Sequence, residues 1–209
     1  MKLKSKIFYI SDLHLDHKNV IKFDNRPFKT VEEMNEVIIN NWNRVVGSND
    51  QVYILGDFSW ADFNKTKEFL GRLNGYKMLI QGNHDYKNIR DKVSGVDLTM
   101  GDDIKDSFIY IVDYNEIKDN DRNVVLCHYP IPCFNRHYYG SFHLYGHVHN
   151  GFEWTMMEKC KHEMETTHNI PCNMYNVGCM MPWMDYTPKT LDQIIEGYNA
   201  EKDKNKTEE

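Results

Sequence analysis

The apolar residues of this chain fall into two regimes. In the first, short apolar runs without helical period alternate with segments repeating at the helical period; in the second, short runs follow one another with little helix between them. Residues 7–10 (Ile-Phe-Tyr-Ile), 51–55 (Gln-Val-Tyr-Ile-Leu) and 76–80 (Tyr-Lys-Met-Leu-Ile) read as buried strands. Between the first two, Thr30-Val-Glu-Glu33 is a capping box, after which Val31, Met34, Val37, Ile38, Trp42 and Val45 recur at helical spacing until Gly47. Residues 62–73 predict a second helix with Phe63, Phe69, Leu70 and Leu73 on its buried side and Gly75 just past its end. Strand, helix, strand, helix, strand is the order of a parallel α/β arrangement, whose functional residues gather at the carboxyl ends of the strands.

In the second regime a short helix is predicted over residues 86–93. Strands follow over 96–100, 107–114, 123–127, 143–145 and 173–177, with a turn-rich connection over 115–122. Runs of strands after alternating units predict a second, mostly antiparallel sheet. Residues 153–167 fit a helix and a polar insertion equally well. Residues 190–198 open with Thr-x-x-Gln and predict a last helix, and the charged stretch 201–209 predicts a disordered tail. The 209 residues thus read as a single domain over 1–200.

Composition narrows the partners. The net charge is −6 with pI near 5.9, and no Lys/Arg cluster could neutralise several neighbouring phosphates, which argues against long duplex nucleic acid. The five cysteines (127, 133, 160, 172, 179) contain no CxxC pair and predict reduced thiols. The apolar run behind Met1-Lys-Leu-Lys-Ser-Lys is interrupted at Asp12, too early for a signal peptide, and nothing reaches membrane-spanning length. The expectation is a cytoplasmic protein without a membrane partner; oligomeric state has no signature here.

Candidate chemistry sits behind the strands. Five of them end in polar residues: Asp12-x-His14, Gly56-Asp57, Gly82-Asn83-His84-Asp85, His128 after Val-Val-Leu-Cys, and Gly146-His147-Val-His149. A histidine or aspartate after one strand is ordinarily a cap or a satisfied polar residue. Five such endings in one chain, three of them with a glycine at the turn, point to a shared site. Two Asp, one Asn and four His besides His84 are oxygen and imidazole donors without thiolate, a set suited to two borderline or hard divalent ions.

With these five blocks, spanning residues 12–149, the chain resembles the calcineurin-like metallophosphoesterases, in particular their small single-domain bacterial and phage type. The family signature runs Asp-x-His, Gly-Asp, Gly-Asn-His-Glu/Asp, His, Gly-His-x-His. The resemblance implies an α/β fold in which a two-sheet mixed β-sandwich is flanked by helices, four layers in all. It implies that Asp12, His14 and His149 hold one ion, that Asn83, His128 and His147 hold the other, and that Asp57 bridges them. His84 would be the general acid, with Asp85 fixing its tautomer. The cofactors would be two divalent ions, manganese first, with iron, zinc, nickel or cobalt as alternatives.

The activity so implied is hydrolysis of phosphate mono- or diesters, on small phosphodiester or nucleotide-type substrates, by a hydroxide shared between the ions. Two alternatives stay open. A nuclease or other nucleic-acid-processing member is opposed by the acidic balance. A non-catalytic scaffold on the same fold would be expected to have lost the acid or several ligands, and here all are in place. Around the blocks, Arg26 is a candidate clamp for a phosphate oxygen, set against the plain reading of an arginine on a turn beside Pro27. His17 is a near-site candidate by its spacing from His14. The aromatic loop 129–139 reads as a lid packed on its own sheet or as a stacking surface for a base. His137, His143, His162 and His168 read as structural.

Overall fold

Strand β1, Ile7–Ile10, is apolar on both faces, as a strand covered from two sides must be. It pairs in parallel with β2, Gln51–Ile54, which pairs in parallel with β3, Tyr76–Ile80. The computed structural model describes residues 5–85 and 108–207. The helix expected over 86–93 and the strand over 96–100 lie outside them.

The crossover between β1 and β2 carries a short helical turn, α1 (Val20–Phe23), and then α2, Val31–Val45. Thr30 caps α2 by accepting the Glu33 amide at 3.1 Å, while the Glu33 carboxylate accepts the Lys29 amide at 2.8 Å. Between β2 and β3, α3 (Phe63–Arg72) starts at Asp62, which accepts the Lys65 amide at 3.0 Å. Met34, Ile38 and Trp42 from α2 and Phe69 and Leu70 from α3 enter the same apolar core as the strands.

The run expected as one strand over 107–114 is two. β4 (Phe108–Val112) closes the first sheet parallel to β3, and β5 (Tyr114–Asp119) opens the second. Asp113 is the only residue between them. The connection expected over 115–122 is therefore mostly strand, and the turn shrinks to Asn120-Asp121. Both carry positive φ, 48° and 69°, as a two-residue hairpin requires.

The second sheet also corrects the expectation of antiparallel pairing. Only β5 and β6 (Arg122–Cys127) are antiparallel; β6, β7 (Phe142–Tyr145) and β8 (Asn173–Asn176) pair in parallel. The reason lies in the connections. Residues 128–141 and the helix α4, Phe152–Thr166, are long enough to return the chain to the same end of the sheet, which a tight turn cannot do. Among the described residues, two four-stranded sheets flanked by helices result.

α4 settles the open choice over 153–167 in favour of helix, though it buries one residue, Lys161. That ammonium donates to Met174 O at 3.0 Å and lies over the rings of Tyr175 and Tyr198 at 4.4 and 4.3 Å. The last helix, α5, runs Leu191–Thr207, so the segment expected to be disordered from 201 is helical through Thr207. Cys127, Cys133, Cys160, Cys172 and Cys179 are all free thiols. Among the described residues no helix is long and apolar enough to cross a membrane.

The sheets meet where β1 ends. Ser11 bridges Gly178, its amide donating to Val177 O at 2.9 Å and its carbonyl accepting the Cys179 amide at 2.8 Å. That seam brings the strand ends of both sheets to one place.

Candidate metal centre

Five of the seven candidate ligands leave their strands through an unusual backbone. Asp12, His14, Asp57, His147 and His149 all have positive φ, at 54°, 48°, 53°, 70° and 45°. L residues rarely occupy this region, and such strain persists only where surrounding bonds enforce it. Here they do. The Asp12 amide donates to Gly56 O at 3.1 Å, the His14 amide to Asp57 O at 2.9 Å, and the His147 amide to both Asp12 carboxylate oxygens at 3.2 and 3.1 Å. Asp12 and His14 therefore reach the site through a left-handed turn.

The side chains converge from both sheets. Asp12, His14 and His149 place donor atoms within 4.8 Å of one another, and so do Asp12, Asp57 and His128. His14 Nε2 lies 3.3 Å from His149 Nε2, and His149 Nε2 lies 3.5 Å from Asp12 Oδ1. A single oxygen, Asp57 Oδ2, stands 3.5 Å from His14 Nε2, 3.7 Å from His128 Nε2 and 4.0 Å from His84 Nε2. Asn83 Oδ1 lies 3.1 Å from His128 Nε2 and 3.0 Å from His147 Nδ1. All seven candidate ligands and His84 are thus brought together.

Close approach explains two of the motif glycines. A Cβ on Gly82 would stand 2.2 Å from Asp57 Oδ1, and one on Gly146 would stand 1.9 Å from Ser11 Oγ and 2.4 Å from Asp12 Oδ2. Neither carboxylate could occupy its place beside a larger residue.

A further layer holds the imidazoles. His128 Nδ1 lies 2.7 Å from Leu55 O, which makes it the protonated nitrogen and leaves Nε2 as a lone pair. That lone pair faces Asn83 Oδ1, acceptor against acceptor. His149 Nδ1 lies 2.6 Å from Asp24 Oδ1, and Asn176 Nδ2 donates to His149 O at 2.7 Å. Asp24 is buried, and its other oxygen takes Arg26 Nε at 2.9 Å and Nη2 at 2.8 Å. Sequence reasoning missed Asp24, which stands among ordinary turn residues and finds its partner only through space.

Two expected roles are corrected here. Arg26 is 4% exposed and spends its guanidinium on Asp24, Leu13 O and Asp12 O, the last two at 2.9 Å, so it braces the ligand turn and has no donor left for substrate. Asp85 is fully buried and does not meet the His84 ring. Its carboxylate accepts the amides of Gly82 at 2.8 Å, Asp57 at 2.9 Å and Phe58 at 3.0 Å, tying the ends of β2 and β3 together. Burial and the nearby Asp57 charge push Asp85 up to about 6, the three amides notwithstanding.

Electrostatics suit a cation. Burial and the Asp12 charge hold Asp57 above the usual carboxylate range, whereas Asp12, although buried, is pulled below it by His149 and the other imidazoles. Burial opposes a charge on His149, but Asp12 and Asp24 outweigh it and push the imidazole up to about 10. A divalent ion on the same donors would take the place of that proton. His14 and His147 are pushed down, chiefly by burial, toward the neutral form that ligates.

Aromatic rings line the rim. Trp60 packs against His84 with centroids 4.7 Å apart and stacks on His17 at 4.2 Å, which places His17 beside the site as its spacing suggested. Tyr129 packs against His128 and His147 at 5.1 and 4.6 Å. His143 is buried under the same loop, between Val125 O at 3.2 Å and the Ile131 amide at 3.1 Å, and is structural.

The chain is 52% identical over 82 residues to the uncharacterized protein MJ1445 of Methanocaldococcus jannaschii, a match covering 38% of this chain and 47% of that one. It is 38% identical over 84 residues to the Gene 66 protein of Mycobacterium phage L5, covering 39% and 40% respectively, so each match spans less than half of the relative's length. A crystal structure of the protein of unknown function AQ665 from Aquifex aeolicus superposes with a TM-score of 0.65 at 27% identity, over 92% of this chain and 99% of that one. Residues 5–151, which carry all five strand-end blocks, match the calcineurin-like phosphoesterase family, and the chain belongs to it.

Proposed function

We propose that this protein is a dinuclear metal-dependent phosphoesterase that hydrolyses small phosphate mono- or diesters. One observation carries the reading. Asp57 Oδ2 is shared, within 3.5 to 4.0 Å, by an imidazole from each donor group and by His84. A carboxylate so placed can bridge two ions and keep the acid beside them.

The residues fit such ions on their own chemistry. His128 Nε2 and Asn83 Oδ1 oppose two acceptors at 3.1 Å, and a cation between them resolves the conflict. Asp12, His14 and His149 would hold one ion, and Asn83, His128 and His147 the other, with Asp57 common to both. Without thiolates the set favours manganese, iron or zinc over softer metals. When bound, such ions supply Lewis acidity toward phosphoryl oxygens and lower the pKa of water from about 16 toward about 7.

The chain supplies orientation and a proton. Asp24 and Leu55 O fix the rings of His149 and His128, so that each Nε2 faces the centre. His84, whose side chain is 38% exposed, is open to a substrate and donates a proton to the departing oxygen. A small phosphorylated substrate is the partner, and the free thiols suit a reducing compartment such as the cytoplasm.

The test is a panel on manganese-loaded protein: para-nitrophenyl phosphate, its bis-ester, its phenylphosphonate ester and cyclic nucleotides. Turnover of at least one ester class is expected, with two ions per chain in metal analysis. His84→Ala lowers turnover by about 10²-fold or more while the metal content stays. A silent panel, or full activity in His84→Ala, would sink the reading; a single ion in active protein would sink its dinuclear part.

A further inference from the structure

With Asp85 committed to backbone amides, something else must fix the ring of His84. Among the described residues that ring makes no hydrogen bond; Asp57 Oδ2, at 4.0 Å, stands too far for one. It meets two rings: the edge of His14, with centroids 5.7 Å apart at 61°, and, closer, an indole. The rings of His84 and Trp60 lie 4.7 Å apart at 58°.

Trp60 is itself held. Its amide donates to Leu15 O at 2.7 Å, which ties it to the turn behind His14, and His17 stacks on its indole at 4.2 Å and 9°. Trp60 is 43% exposed, whereas Trp42 and Trp183 are buried and Trp154 packs partly buried against the core. Core packing therefore does not account for an indole at this place.

We propose that Trp60 is the positioning residue for His84. Its ring removes rotamers in which the imidazole swings into solvent and keeps Nε2 above Asp57, within reach of a leaving-group oxygen. The inference rests on the phosphoesterase reading above. It assigns to a tilted ring contact the task that the family resemblance implied for Asp85.

The experiment compares phenyl and 2,4-dinitrophenyl members of whichever ester class the manganese-loaded enzyme turns over. A phenolate needs the proton that His84 supplies; a dinitrophenolate departs largely without it. Trp60→Ala is expected to lower kcat about tenfold on the phenyl ester and less than threefold on the dinitrophenyl ester, with KM nearly constant. Trp60→Phe restores most of the loss. In a His84→Ala background the same substitution adds little, because the two residues act as one unit.

A second readout does not depend on turnover. In zinc-loaded protein the His84 Cε1–H resonance carries the ring-current shift of the indole and moves in Trp60→Ala. Equal losses on both esters, a loss confined to KM, or an unmoved resonance overturns the proposal for Trp60 while the phosphoesterase reading stands. If the wild-type protein hydrolyses no ester, that reading falls, and the catalytic role of Trp60 with it.

Discussion

The two donor groups of the site are built to different tolerances. Around His149 the support is continuous and buried: Asp24 takes its Nδ1, Arg26 takes Asp24, and the same guanidinium reaches back to the carbonyls of Asp12 and Leu13. Around Asn83 it is thinner. His128 is anchored by Leu55 O, but His147 is partly exposed and meets Asn83 and the ring of Tyr129. Supported ligands keep their geometry before an ion arrives; unsupported ones must be ordered by it, and that ordering subtracts from affinity. If both groups hold ions, as proposed, this contrast implies one tight and one weak site.

The comparison breaks most completely at its junction. Asp57→Asn weakens the one carboxylate common to both groups, so metal analysis should find both ions depleted and turnover lost by about three decades or more. Depletion of one ion alone would make Asp57 a ligand of one group only. Asp24→Asn sharpens the contrast. Calorimetric titration with manganese should find one ion bound about 10- to 100-fold more weakly and the other unchanged. Equal weakening of both would erase the difference between the two sides.

The smallest effect concerns His143, buried under the loop that follows His128. Burial pushes His143 down to about 4 against an ordinary value of 6.5. The folded state therefore favours the neutral ring, and its stabilisation is present above pH 6.5 and lost as pH falls toward 4. Denaturant unfolding should lose about 2 kcal/mol from this group between pH 7 and pH 5. His143→Asn should be less stable at pH 7 and lack that share of the slope; an unchanged slope would mean that His143 does not titrate in this window.

What could be read from the sequence follows the range of the interactions. α2 is legible because Thr30 and Glu33 cap it within one turn. α4 is not, since it buries Lys161 alone and its docking rests on Met174 O and on Tyr198 from a distant helix. The split at Asp113 is likewise a tertiary matter: β4 is the apolar run Phe-Ile-Tyr-Ile-Val, whereas β5, Tyr-Asn-Glu-Ile-Lys-Asp, is mostly polar and is a strand through its pairing with β6. The candidate ligands are legible as a set, since strand ends carry their chemistry in side-chain identity. Their supports are not: Asp24 and His149 lie 125 positions apart, and Asp85 sits next to His84 in sequence yet turns away from it.

The left-handed turns at five of the ligands, Asp12, His14, Asp57, His147 and His149, bear on which amino acids can stand there. Asp and His belong to the few side chains other than glycine that occupy this conformation with any frequency, and glutamate does not. The vocabulary of this site is therefore restricted twice, once by what a cation accepts and once by what the main chain permits. A glutamate at position 12 or 57 would keep its charge and fail through the backbone, so the turns by themselves already select aspartate there.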